Sequence, residues 1–179
     1  MEPDAVLNFW FDELRPAQWF RSTPKIDQRI RDRFGDLHEA ARVCELAAWR
    51  GRPEGRLAEI IVLDQFSRQI HRASALAFAC DPLALALAQT AVQAGEDLRL
   101  TVDQRAFLYM PYMHSESRRI HEEAVRLFGA PGLERSLTSE VAHKAIIDRF
   151  GRFPHRNAVL GRTSTAEERA FLERPGSGF

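Results

Sequence analysis

The sequence predicts an all-α fold, and three observations carry the prediction. Alanine and leucine together number 42, against 16 valines and isoleucines, a bias that favours helix over strand. No stretch sustains the apolar–polar alternation of a half-buried strand. Helix punctuation recurs along the chain. Thr23-Pro24 and Asp81-Pro82 each set a capping residue before a proline, while Thr101 to Gln104 and Thr165 to Glu168 have capping-box spacing.

Taken in order, these signals predict nine helices. The first, near 3–14, carries the Phe9-Trp10-Phe11 cluster. The second, near 24–34, opens at Thr23-Pro24 and closes at Gly35, and the third, near 36–49, closes before Gly51. The fourth, near 56–71, is apolar almost all round and is therefore central. The fifth, near 82–94, runs from Asp81-Pro82 to Gly95. The sixth, near 102–110, starts from the Thr101 box and is ended or kinked by Pro111, which cannot donate to the helical ladder. Helices near 115–129 and 139–150 end at Gly129 and Gly151, and the ninth, near 165–173, starts at the Thr165 box. Short connections favour antiparallel hairpins stacked in layers. At 179 residues the chain is expected to form one domain, 1–179. No 34-residue repeat is legible in it.

Composition narrows the function. The formal net charge is zero, so no global field favours nucleic acid or an anionic membrane, and little opposes self-association into a homo-oligomer. Cys44 and Cys80 are too few for a disulfide framework or a zinc motif. The start, Met1-Glu2-Pro3-Asp4, lacks the pattern of a signal peptide, and no run approaches the roughly 18 apolar residues of a membrane span. A cytoplasmic protein is expected.

Several segments occur in an order that resembles a known family. They are Leu63-Asp64-Gln65-Phe66-Ser67-Arg68, Ala77-Phe78-Ala79-Cys80-Asp81-Pro82-Leu83-Ala84, Tyr109-Met110-Pro111-Tyr112-Met113-His114-Ser115-Glu116 and Phe150-Gly151-Arg152-Phe153-Pro154-His155-Arg156-Asn157. With Phe9-Trp10-Phe11 and the closing Phe171-Leu172-Glu173-Arg174-Pro175-Gly176-Ser177, they resemble the bacterial family called domain of unknown function 924 over essentially the whole chain. The resemblance implies an all-helical, tetratricopeptide-like fold and brings no established activity. Ser67 and Gln69 depart from the proline and asparagine expected there.

The residues themselves single out three places. Between Arg149 and Arg162 lie four arginines and His155 within fourteen residues, set among phenylalanines, glycines and a proline. Such stiff, basic connections suit a pocket for an anionic or carboxylate group, which makes Arg152, Arg156 and Asn157 candidate ligand-binding residues. At 100° per residue, Asp64, Arg68 and His71 extend the apolar stripe of Leu57, Ile60 and Ile61, so Asp64 and Arg68 are expected to be buried. Asp64 would orient Arg68 or a histidine from another helix; the plain alternative is an i,i+4 ion pair. His143 sits amid the apolar arc of Ala142, Ile146, Ile147 and Phe150, either as a hydrogen-bonded core histidine or as an acid–base group. His114 and Glu116 follow the proline break. They could begin a metal site, but no strong metal spacing is present, so no metal or cofactor is assigned, and Glu116 is favoured as a partner of a later arginine.

Two functions follow from this reading. In the first, Asp64, His143 and His155 serve a catalytic acid–base site whose small anionic ligand is held by Arg68, His114, Glu116, Arg152, Arg156 and Asn157. In the second, stacked helices present a groove to a partner peptide. Unusual residues concentrated at chain breaks and on buried stripes favour the first.

Overall fold

Every regular element among residues 1–177, the residues that the computed structural model describes, is helical. Nine helices are present among them: α1 (3–13), α2 (Pro16–Phe20), α3 (Pro24–Arg42), α4 (53–70), α5 (Asp81–Gln93), α6 (Val102–Met113), α7 (Arg118–Phe128), α8 (Glu134–Phe150) and α9 (Ala166–Leu172). Three of the four capping signals act where the sequence places them, whereas Asp81 begins α5 itself, makes no cap bond and pairs with Arg68 and Arg156. Thr23 Oγ1 accepts from Ile26 N–H, and complete capping boxes close the starts of α6 and α9. Gly95 and Gly151 follow α5 and α8 with φ of +66° and +69°, a conformation that costs glycine nothing.

Several boundaries differ from expectation: α2 was not expected, and α8 starts at Glu134 rather than near 139. Gly35 does not break the chain, because α3 runs through it to Arg42. Ile26, Ile30, Phe34, Leu37 and Ala41 form one buried stripe across the glycine. Burying each large side chain stabilises by roughly 1.5–3 kcal/mol, against a helix penalty of about 1 kcal/mol for glycine. The third expected helix is consequently replaced by a turn and the short 3-10 segment Ala47–Gly51. Pro111 does not end α6 either, which continues to Met113.

Helix α4 is central. Leu57, Ala58, Ile60, Ile61, Val62, Leu63 and Phe66 have no exposed surface, and α1, α3, α5 and α6 all pack against this helix. Consecutive helices from α5 to α8 also pack in pairs. The segment Ala75–Gln93 is long and apolar enough to cross a membrane by length and composition, contrary to the sequence-based expectation. In the fold it begins as a 3-10 turn, and α5 then buries Ala84, Leu87, Ala88 and Ala91. A second small core of Ile146, Ile147 and Phe153, packed by Phe150 and Phe171, holds the connection after α8.

Candidate functional site

Within α4 the backbone widens into a π turn over Val62–Phe66. Such turns alter the angular step, so a regular helical wheel slips at that point. Asp64 lies inside the turn and is fully buried. Its Oδ1 is 2.7 Å from His114 Nδ1 at the end of α6, and Gln65 Nε2 donates to Oδ2 at 2.5 Å. Since the carboxylate can only accept, His114 must present Nδ1–H to it, which leaves the Nε2 lone pair as the basic position of the neutral ring.

Two guanidiniums stand beside this pair. Arg68 Nη1 lies 3.2 Å from Asp64 Oδ1 and 3.0 Å from Asp81 Oδ1 at the start of α5. Arg156, from the 3-10 turn Pro154–Arg156, donates through Nη1 to Asp81 Oδ2 at 3.2 Å and through Nη2 to His114 O at 3.1 Å. Its guanidinium also lies 4.4 Å from the Phe78 ring centroid and 4.6 Å from that of Phe153, a double cation–π contact. Two arginines thus face two aspartates, and the floor is charge-balanced. Donors remain, because the buried Nε–H of Arg156 has no hydrogen-bond partner among the described residues.

The electrostatics follow from this packing. Burial opposes the charge of Asp64, yet Arg68 and His114 outweigh it and hold the carboxyl well below the usual range. Burial and then repulsion from Arg68 keep His114 neutral, against the pull of Asp64. Burial lowers His143 to about 3 and, with repulsion from Arg156, lowers His155 to about 4. Burial brings Arg156 down to about 10, where it is still charged at neutral pH.

The arginines and histidines among these groups line a cleft of about 840 Å³, with Asp64 and Asp81 behind them, the size of a small-molecule site. Arg68, His114, His143, His155 and Arg156 are among its polar lining, which also includes Arg72, Asp103 and Arg135, while Trp19, Phe20, Phe107, Met110, Met113 and Leu133 supply apolar walls. Phe20 lines the cleft, stacks on Phe107 at 6.1 Å and remains 59% exposed, whereas Phe9 and Trp10 are buried in the core.

The three sequence-predicted segments therefore converge, although their members divide. His114, not His143 or His155, is the imidazole bonded to Asp64. His143 bonds the Ser139 carbonyl at 2.7 Å and, with His155, lines the wall. Three expected ligand-binding residues turn away from the cleft because closer partners in the C-terminal region claim them. Arg152 pairs with Glu168 at 2.6 Å. Asn157 donates to Ser164 Oγ at 3.0 Å and accepts from Arg162 Nε at 3.0 Å. Glu116 accepts from Phe153 N–H at 2.8 Å and from Arg162 at 2.5 and 2.9 Å, which clamps the turn that carries Arg156. Sequence reasoning did not select Asp81, which joins the arginines; its only local signal was an acid beside Pro82. The apolar walls carried no signal that distinguishes them from core.

The sequence pattern described as "Bacterial protein of unknown function (DUF924)" matches residues 6–176. A solved structure of a protein of unknown function from Agrobacterium tumefaciens is similar throughout, with a TM-score of 0.89, 37% identity and 96% of each chain covered. No curated protein matches.

Proposed function

Because this chain belongs to the bacterial protein family of unknown function DUF924, which has no assigned chemistry to pass on, we propose a function from the cleft itself. The protein binds a small organic carboxylate with an apolar body, and Asp64 with His114 performs acid–base chemistry on it. The observation that carries this reading is the buried Asp64–His114 pair set between Arg68 and Arg156 in a cleft that also carries an apolar wall. The carboxylate would accept from the remaining guanidinium donors, a geometry that arginine suits. A floor with two positive and two negative groups favours a monoanion over a phosphate dianion. The apolar body would lie along Trp19, Phe107, Met110 and Met113.

In this reading His114 is the base, since Asp64 fixes its tautomer and its orientation as the second member of such pairs does. His143 and His155 are neutral imidazoles on the wall and contribute polarity without charge. The pairing of consecutive helices from α5 to α8 supports a tetratricopeptide-like stack as the scaffold, and the free thiols of Cys44 and Cys80 support a reducing, cytoplasmic setting.

A thermal-shift series tests the proposal. Carboxylates of growing apolar body (acetate, octanoate, phenylacetate, indoleacetate) are compared with phosphate and an alkyl phosphate. Stabilisation should rise with the apolar body, favour carboxylates and vanish in Arg156→Gln. An identical response in wild type and Arg156→Gln, or no response to any carboxylate, would overturn it.

A further inference from the structure

A second cluster lies outside the cleft, where α3 packs against the C-terminal end of α4. His38, Glu39 and His71 each bring one potential ligand atom there, all within 4.8 Å of one another. Hydrogen accounting fixes the state of His38. Ser67 Oγ donates its single proton to the Leu63 carbonyl and lies 2.7 Å from His38 Nε2. With the hydroxyl proton used, Nε2 must be the donor of that pair, and the lone pair of neutral His38 is on Nδ1. His38 is 1% exposed, and Nδ1 is buried without a hydrogen-bond partner among the described residues. A buried acceptor without a partner is costly and calls for an explanation.

Its surroundings supply one. Glu39 Oε1 lies 3.6 Å from His38 Nδ1, close to the spacing of about 3.4 Å that neighbouring ligands adopt around a tetrahedral zinc ion with bonds near 2.1 Å. Arg42 holds the other carboxylate oxygen, Oε2, at 2.9 and 3.1 Å and so orients Glu39. The His71 ring stands 5.1 Å from that of His38. Ser67 and Arg42 thus support two of the three groups from behind, as outer-shell partners do in metal centres. Exposed Glu39 and half-buried His71 leave an approach from solvent.

We propose that His38, Glu39 and His71 bind a divalent first-row transition cation such as zinc, with water completing the coordination. Two imidazoles and one carboxylate suit such ions better than magnesium or calcium, which prefer all-oxygen sites. This site is independent of the proposed carboxylate cleft. No sequence motif announced it, because its ligands come from α3 and from the residue that follows α4, well separated in the chain.

The test uses chelator-treated protein titrated with Zn²⁺ by calorimetry and with Co²⁺ by visible absorption. Wild type should bind one equivalent, and cobalt should develop the absorption of a protein-bound, low-coordination centre. Both His71→Ala and Glu39→Gln should weaken binding at least about tenfold. His38→Gln should abolish it; because that position is buried, the exposed-side variants decide the matter if this one fails to fold. Arg156→Gln, which alters only the cleft, should bind zinc as wild type does. Absence of saturable binding in wild type, or unchanged affinity in both His71→Ala and Glu39→Gln, would overturn the proposal.

Discussion

Replacing Asp64 with asparagine preserves volume and removes one charge from a site where two arginines face two aspartates. In the variant, Arg68 and Arg156 share Asp81 alone. Breaking a buried ion pair costs about 3–5 kcal/mol, much of it from the charge left behind. Arg68 keeps Asp81 at 3.0 Å and is 21% exposed, so the lower end applies, about 3 kcal/mol. The new amide also sets its nitrogen against Gln65 Nε2, which now donates to Oδ2, unless one of the two amides flips. For a chain of this size, about 3 kcal/mol corresponds to a fall in Tm of roughly 6–12 °C. Urea denaturation and differential scanning calorimetry measure it directly. Because the folded carboxyl lies below its unfolded value of about 3.9, its contribution is complete above that pH and is lost as pH falls through the folded value. The gap between wild type and variant should therefore stay constant from about pH 5 to 8 and close below about pH 4. Adding Arg68→Met removes the uncompensated cation, and the double variant should recover about 1–3 kcal/mol relative to additivity. A loss below about 0.5 kcal/mol, the scale of an ordinary surface change, or strict additivity would refute the reasoning.

Further expectations concern other positions. His143 is held at about 3 in the fold by burial, whereas the unfolded chain takes up that proton near pH 6.5. Acidification below 6.5 therefore favours unfolding, and His143→Asn should flatten the stability–pH slope between about pH 6 and 4 by up to about 1.4 kcal/mol per unit; an unchanged slope in urea titrations counts against it. Ala73 lines the cleft with φ of +59°, so Ala73→Gly should raise stability by about 0.5–1 kcal/mol, and a lower Tm would contradict the strain argument. Arg152→Ala should lower Tm through loss of the Glu168 pair yet leave carboxylate-induced stabilisation intact; loss of that ligand response would return Arg152 to the site.

Helix class and most helix starts were legible because caps act within four residues of the groups they satisfy. Thr23, Thr101 and Thr165 do in the fold what their spacing implied. The site was legible in outline: Asp64, Arg68, His114 and Arg156 stood out because charged groups sat on apolar stripes or in rigid connections. Pairing was legible only in kind. Glu116 takes a later arginine and Asp64 a histidine from another helix, as expected, but that these are Arg162 and His114, and that Arg152 turns to Glu168, was decided by distances between segments up to 50 positions apart.

By itself, then, the sequence determined that the chain is helical and where most helices begin, since propensity and capping are local terms of about 0.5–2 kcal/mol that the residues carry with them. Tertiary structure decided whether α3 would pass through Gly35, which charges would be spent on holding the C-terminal turn, and which would remain at the cleft. Those outcomes depend on burial worth roughly 1.5–3 kcal/mol per large side chain and on ion pairs that form only when distant segments meet. Neither is a property of any stretch of sequence until the helices have packed.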